Sequence, residues 1–277
     1  MVGPGGSGKT RAIGAYAEAV RAGGNSVIGV ATSAAAAAKL GQHLDGCWTG
    51  TIALLRNHLE RSKHSLLPRT VLLVDEASMV TTYDLAWLMR QTDACDGKLV
   101  LIGDPRQLPS VDSGGLFHRL VAQGQQVVDE LAAINQRQML DLDRENLTRL
   151  RTGNIADAIH QYTEAGRLHL GKNESSTKSA MVEAWWRDVE RHGLEPVRML
   201  ASRHHEVEML NHLARVEMTR AGFLTGPVLT NRRGMEFQCG DRVVVRDNWY
   251  SHSDLRNGQI GTITGVDPKH GTVSFHR

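Results

Sequence analysis

Cysteine is scarce in this chain, and its three copies, Cys47, Cys95 and Cys239, form no C-x-x-C pair. That spacing excludes a disulfide framework and a cysteine-held zinc site as organising devices, and it fits a reducing, cytoplasmic setting. Long apolar runs are missing too: none approaches the roughly 20 residues of a membrane-spanning helix, so no membrane partner is expected. Met1-Val2-Gly3-Pro4 is not the basic and then apolar opening of a secretory signal. An excess of either charge is also lacking: the net value is +2, divided evenly between the two halves, so no tail announces a nucleic acid or a membrane surface. What is present is ordinary for a globular protein, 41% hydrophobic and 22% charged over 277 residues. Disorder is excluded, and about two domains are accommodated.

From Val27 to Val128, short β-branched runs alternate with helical patterns, the order of βαβ units and a parallel sheet. Strands are expected at Ser26–Ala31, Val71–Val74, Leu99–Ile102 and Gln126–Val128. Helices are expected at Lys9–Ala22, stopped by Gly23-Gly24, at Ala34–Leu44 and at Thr81–Gln91. Beyond Gln138 the pattern turns helical at Asp141–Arg151, Ile155–Glu164 and Lys178–His192. A short strand, Val197–Ala201, and a helix, His205–Arg220, read as the start of a second α/β unit. Asp241–Arg246, Gln259–Val266 and Thr272–Phe275 then read as a small antiparallel β module.

Gly3-Pro4-Gly5-Gly6-Ser7-Gly8-Lys9-Thr10 matches G-x-x-x-x-G-K-[ST] and opens a helical pattern, which makes it a P-loop. Its glycines turn backbone N–H groups around phosphates, and the helix adds its positive end. Lys9 reaches the β and γ phosphates of ATP in such a loop, and the Thr10 hydroxyl ligates Mg²⁺. Val71-Leu72-Leu73-Val74-Asp75-Glu76 is an apolar strand ending in two carboxylates, with Asp75 placed for Mg²⁺ and Glu76 as the base that polarises water. Leu99-Val100-Leu101-Ile102 delivers Gly103-Asp104-Pro105-Arg106-Gln107 at a strand's carboxyl end, where open α/β sheets bind ligands. Gln107 is placed there to sense the γ phosphate or position water, although Gly103-Asp104-Pro105 also suits a plain turn.

With Asp75-Glu76-Ala77-Ser78, Gly103 to Val111 and Asn135-Gln136-Arg137-Gln138 in that order, the chain resembles superfamily 1 DNA helicases of the RecD-like branch. Within that branch it is most similar to the helicase half of MobF-type conjugative relaxases. The resemblance implies a RecA-like P-loop motor domain at 1–138, a parallel sheet with helices on both faces. It further implies a helical connection at 139–195, the start of a second motor domain at 196–235 and a small SH3-like β-barrel insertion at 236–277. It gives Gln107 and Arg137 contacts to the γ phosphate, and Thr32, Ser33 and Thr51 contacts to the backbone of single-stranded DNA. The family often has His after the Thr-Ile pair, where this sequence has Ala53.

The implied activity is MgATP hydrolysis coupled to movement on single-stranded DNA, with a relaxase domain or other conjugation proteins as further partners. Later family motifs are not found before Arg277, so the chain is expected to be a fragment and inactive alone. The rivals are a stand-alone P-loop ATPase or kinase that never meets DNA, and a silent nucleotide-binding remnant. Trp185-Trp186 reads as core packing ahead of base stacking, and His205-Glu206 lacks the second His of a zinc-protease pattern, Met209 standing there.

Overall fold

The computed structural model describes residues 1–62, 65–110, 112–124, 140–232, 234–246 and 258–276. They fall into two compact units, one built mainly on Met1–Asn154, the other on Ile155–Arg246 and Gln259–Arg277. The first therefore reaches past residue 138 and takes in the helix Asp141–Arg151.

The first unit is built on a parallel sheet. β1 (Val27–Ala31) lies between β2 (Trp48–Thr51) and β3 (Val71–Asp75), with β4 (Lys98–Leu101) beyond β3. Val2 makes one further parallel bridge to Gly103, so the backbone entering the P-loop runs alongside the extension of β4. The strands are apolar on both faces because helices cover both. On one face Val27, Val71, Leu73 and Ile102 pack with Ile13 and Ala17 of α1 (Lys9–Ala22) and Leu40 of α2 (Ala34–Gly41). On the other, Val30, Leu72 and Val74 pack with Leu55 of α3 (Ile52–Ser62) and with Leu85 and Leu88 of α4 (Thr82–Ala94). Alternate residues of one strand thus feed two cores.

Several expectations are corrected in detail. Trp48–Ser62, where the sequence pattern marks no element, forms an edge strand followed directly by a helix. The helix expected to reach Leu44 ends at Gly41, where Gln42 caps it. α5 (Leu116–Ala122) also forms without a marked pattern, and α6 (Asp141–Arg151) follows the expected bounds. The strand expected at Gln126–Val128 and the Asn135 to Gln138 box lie outside the described residues.

In the second unit α7 (Ile155–Glu164) precedes α8 (Glu174–His192) and α9 (His204–Arg220). Val182, Trp185 and Val189 of α8 pack with Leu210, Ala214 and Met218 of α9. Trp186 joins this core, its ring 5.8 Å from that of Trp185 and 5.5 Å from that of Phe223, so the pair packs as expected. Val197–Ala201 is irregular, not a strand, and no parallel sheet occurs among the described residues of this unit. Instead β5 (Thr225–Thr230) and β6 (Glu236–Cys239) form an antiparallel pair. β7 (Arg242–Val244), β8 (Ile260–Asp267) and β9 (Thr272–His276) form a three-stranded antiparallel sheet. Arg215 of α9 ties to it through an ion pair with Asp241. The expected barrel also draws on residues 247–257, outside the described set. Among the described residues no helix is long and apolar enough to cross a membrane.

Candidate nucleotide-binding site

Register brings the functional segments to one end of the sheet. Ala31 aligns with Asp75 and Val74 with Leu101, so Thr32-Ser33, Asp75-Glu76 and Asp104 to Gln107 all follow carboxyl ends of parallel strands. The P-loop arrives at that end through Gly3, whose N–H donates to the Gly103 carbonyl at 3.2 Å. Gly6 and Gly8 both take φ of +84°, a conformation open to glycine at little cost. Gly8 is the cap residue of α1, whose first N–H groups are left for a ligand.

Lys9 Nζ donates to the carbonyls of Gly3 at 2.7 Å and Pro4 at 2.9 Å, which curls its stem back over the loop. Burial pushes its pKa down, the charges of Asp104, Glu76 and Asp75 pull it back up, and Arg151 adds to the lowering. Three carboxylates and a second cation thus act on one ammonium.

Asp75 is buried at the end of β3, and its Oδ1 accepts the N–H of Glu76 at 2.9 Å. Glu76 takes φ of +52°, a left-handed conformation rare outside glycine, and precedes a short 3₁₀ turn at Ala77–Met79. The fit to a polyphosphate rests on polar atoms already in place. Ser7 Oγ in the loop and Ser78 Oγ after β3 are buried without a hydrogen-bond partner among the described residues, and such groups call for one. Oxygen donors, as Thr10 and Asp75 supply, are the chemistry that Mg²⁺ takes.

Asp104 is only 1% exposed and joins three segments. Its Oδ2 accepts the N–H of Gly5 at 3.3 Å and Arg151 Nη1 at 2.7 Å. Its Oδ1 accepts the N–H of Arg106 at 3.0 Å and Arg151 Nη2 at 3.0 Å. Burial alone would raise the Asp104 pKa; hydrogen bonds from Arg151 and the Arg106 amide, with the charges of Arg151 and Lys9, bring it below the ordinary value. A methyl group built on Gly5 would meet Gln107 Nε2 at 3.7 Å, which sets Gln107 beside the loop.

The sequence-predicted residues therefore separate. Gly3, Pro4, Gly5, Lys9, Asp75, Glu76 and Gln107 come together, while Arg137 lies outside the described residues. Ser33 and Thr51 stand at helix starts, their hydroxyls accepting the N–H of Ala36 and of Leu54, both at 3.1 Å. Arg151 was missed, because nothing near it in sequence marks it as part of a site 47 residues away.

Among the described residues one other cluster has ligand-type atoms within 4.8 Å of one another: Glu174, His205 and Glu206. Glu174 pairs with Lys178 at 2.5 Å, and Glu206 accepts the N–H of Arg203 at 3.1 Å in a helix cap. Both carboxylates thus have structural work already.

A P-loop at the carboxyl end of a parallel sheet, faced by Asp75-Glu76, defines the chain's first unit as a P-loop nucleoside-triphosphate domain. The family model described as AAA domain matches residues 1–173, and the chain belongs to that family. It is similar to the conjugal transfer protein TraA of Agrobacterium fabrum, 28% identical over 270 residues, covering 97% of this chain and 24% of that protein. The probable conjugal transfer protein TraA of Sinorhizobium fredii is 26% identical over 269 residues, covering 95% of this chain and 23% of that one. The chain spans about a quarter of the length of these curated relatives. Among solved structures it matches a chain from a study of DNA unwinding at forked double-stranded DNA by two coordinating Pif1 helicases, with a TM-score of 0.46 and 16% identity over 99% of this chain and 70% of that one. The resemblance to conjugative superfamily 1 helicases read from the motifs is borne out by the family match and these relatives.

Proposed function

We propose that the chain is the ATP-driven motor segment of a conjugative DNA helicase, hydrolysing MgATP and coupling that reaction to movement along single-stranded DNA. The observation that carries this reading is the meeting of Lys9, Asp75, Glu76 and Asp104 at one end of one parallel sheet, with Gln107 beside the loop. In this reading the loop amides and Lys9 hold the phosphates, and Glu76 accepts a proton from the attacking water. Thr10 and Asp75 would hold magnesium, whose charge offsets that of the phosphates. Gln107 would face the γ phosphate from beside the loop, and the family resemblance gives Arg137 a contact to the same group.

The DNA path runs past Thr32, Ser33 and Thr51. A hydroxyl that accepts a backbone N–H keeps its own proton to donate, so Ser33 and Thr51 can cap a helix and still bind a phosphate oxygen. A relaxase domain or other conjugation proteins in the cytoplasm are the partners this reading names, supported by the transfer proteins that the chain resembles.

The test is a titration of the protein with a fluorescent ATP analogue and Mg²⁺, with and without an oligothymidine strand. Binding that needs Lys9, and an oligothymidine affinity that changes when nucleotide is bound, are expected. Nucleotide binding indifferent to the oligonucleotide would favour a P-loop ATPase or kinase that works without DNA.

A further inference from the structure

We propose that Arg151 reads the terminal phosphate of the bound nucleotide, with Asp104 as the positioning residue that aims it; this rests on the ATP-binding reading above. A carboxylate that is 1% exposed is costly to fold unless it is paired and fully hydrogen-bonded. Asp104 meets that condition through a two-pronged pair with Arg151, 2.7 Å to one oxygen and 3.0 Å to the other. Such a fork fixes the plane of the guanidinium as well as its place. The Arg106 guanidinium closes the arrangement by donating to the Arg151 carbonyl at 2.7 Å, which fastens the end of α6 to the turn after β4.

What makes this more than a structural tie is the oxygen that Arg151 binds. Asp104 Oδ2 is shared between Arg151 Nη1 and the N–H of Gly5, so the guanidinium stands one carboxylate oxygen away from a P-loop amide. Gly5 lies on the side of the loop that Gln107 approaches, three residues before the Gly8 cap of α1. The P-loop amides cradle the inner phosphates, which leaves the Gly5 and Gln107 side for the outer one. Arg151 is therefore a second cation beside the loop, held one carboxylate oxygen from the Gly5 amide, and a guanidinium is suited to phosphate oxygens as it is to a carboxylate. A triphosphate feels it, whereas a diphosphate, ending short of it, does not.

The experiment compares the full chain with Arg151→Gln, Arg151→Lys and the Asp104→Asn/Arg151→Gln double variant. Each is titrated with fluorescent MgATPγS and MgADP, and its folding is followed by circular dichroism. Arg151→Gln should lose tenfold or more in MgATPγS affinity while MgADP stays within about twofold, and Arg151→Lys should fall between. The double variant, which leaves no buried charge unpaired, should melt higher than Arg151→Gln and still show the triphosphate-specific loss. Equal losses for both nucleotides would make Arg151 a structural prop of the loop, and no loss for either would also overturn the proposal. Should Arg151→Gln fail to fold, the Arg151→Lys ratio of the two affinities decides. Lys9→Ala keeps the two readings apart: if it binds nucleotide as the parent does, the ATP site itself is misassigned and Arg151 falls with it.

Discussion

The main-chain N–H of Glu76 donates to Asp75 Oδ1 at 2.9 Å, inside a turn where Glu76 holds φ of +52°. The left-handed conformation costs a non-glycine residue roughly 1–2 kcal/mol, and it parts two adjacent carboxylates. Asp75 is buried under the sheet's end, and Glu76 stays half-buried. Asp75→Asn should therefore cost magnesium-dependent nucleotide affinity, whereas Glu76→Gln should keep binding and remove whatever hydrolysis the parent shows. Calorimetry with and without Mg²⁺ separates the two, and equal binding losses would show that this division of roles is wrong.

Lys9 supplies the ammonium that the P-loop itself carries, and its Nζ already rests on the carbonyls of Gly3 and Pro4. Lys9→Ala should weaken MgATP binding tenfold or more, about 1.4 kcal/mol at the least. Parent-like affinity in calorimetry would remove the P-loop from the account.

The Asp104 pair has a signature in pH. Because the folded carboxyl titrates below its ordinary value, its contribution is complete above the unfolded value of about 3.9 and is lost as pH falls through the folded value. Asp104→Asn should lower stability at pH 7 by on the order of 1–3 kcal/mol, since it strips Arg151 of its anion. It should also flatten the fall in melting temperature as pH drops below about 4. Thermal melts across that range check this, and an unchanged slope in the variant would contradict it.

Gly29 tests how closely β1 and α2 pack. A methyl group there would stand 2.5 Å from Leu44 Cδ1 and 2.9 Å from Leu40 Cδ2, and both leucines are buried. Gly29→Ala should cost about 1–3 kcal/mol through overpacking. A melting temperature equal to the parent's would mean that this core yields more readily than its contacts imply.

The elements that were legible in sequence are those with local punctuation. α1 has the expected bounds because a left-handed glycine starts it and Gly23-Gly24 ends it, and β3 could be read from an unbroken apolar run ending in acids. β2 could not, since Trp48-Thr49-Gly50-Thr51 neither alternates nor runs apolar, and as an edge strand it owes its place to pairing with β1. The candidate site divides in the same way. A P-loop is a contiguous pattern, but the role of Arg151 follows from a partner 47 residues away. Alone in sequence it is one more arginine in a last helical turn, where cations are favoured in any case.

Single-stranded DNA offers the last test, and the helix caps allow a contact role to be separated from a structural one. Binding should be weak and independent of base sequence, and it should fall with salt at roughly 0.7 log units per phosphate contact for each decade of salt. Ser33→Ala would remove the cap that the hydroxyl provides to Ala36, at about 1 kcal/mol, so a loss of binding there would be ambiguous. Ser33→Asp is the informative change. A carboxylate caps a helix start as well as a hydroxyl does and is favoured by the helix dipole, so the melting temperature should hold or rise. The same carboxylate cannot donate to a phosphate oxygen and repels it. Oligothymidine affinity measured by fluorescence anisotropy should therefore drop severalfold in Ser33→Asp, and the drop should shrink as salt is added. Unchanged affinity in a folded Ser33→Asp protein would take this end of the sheet out of the DNA path.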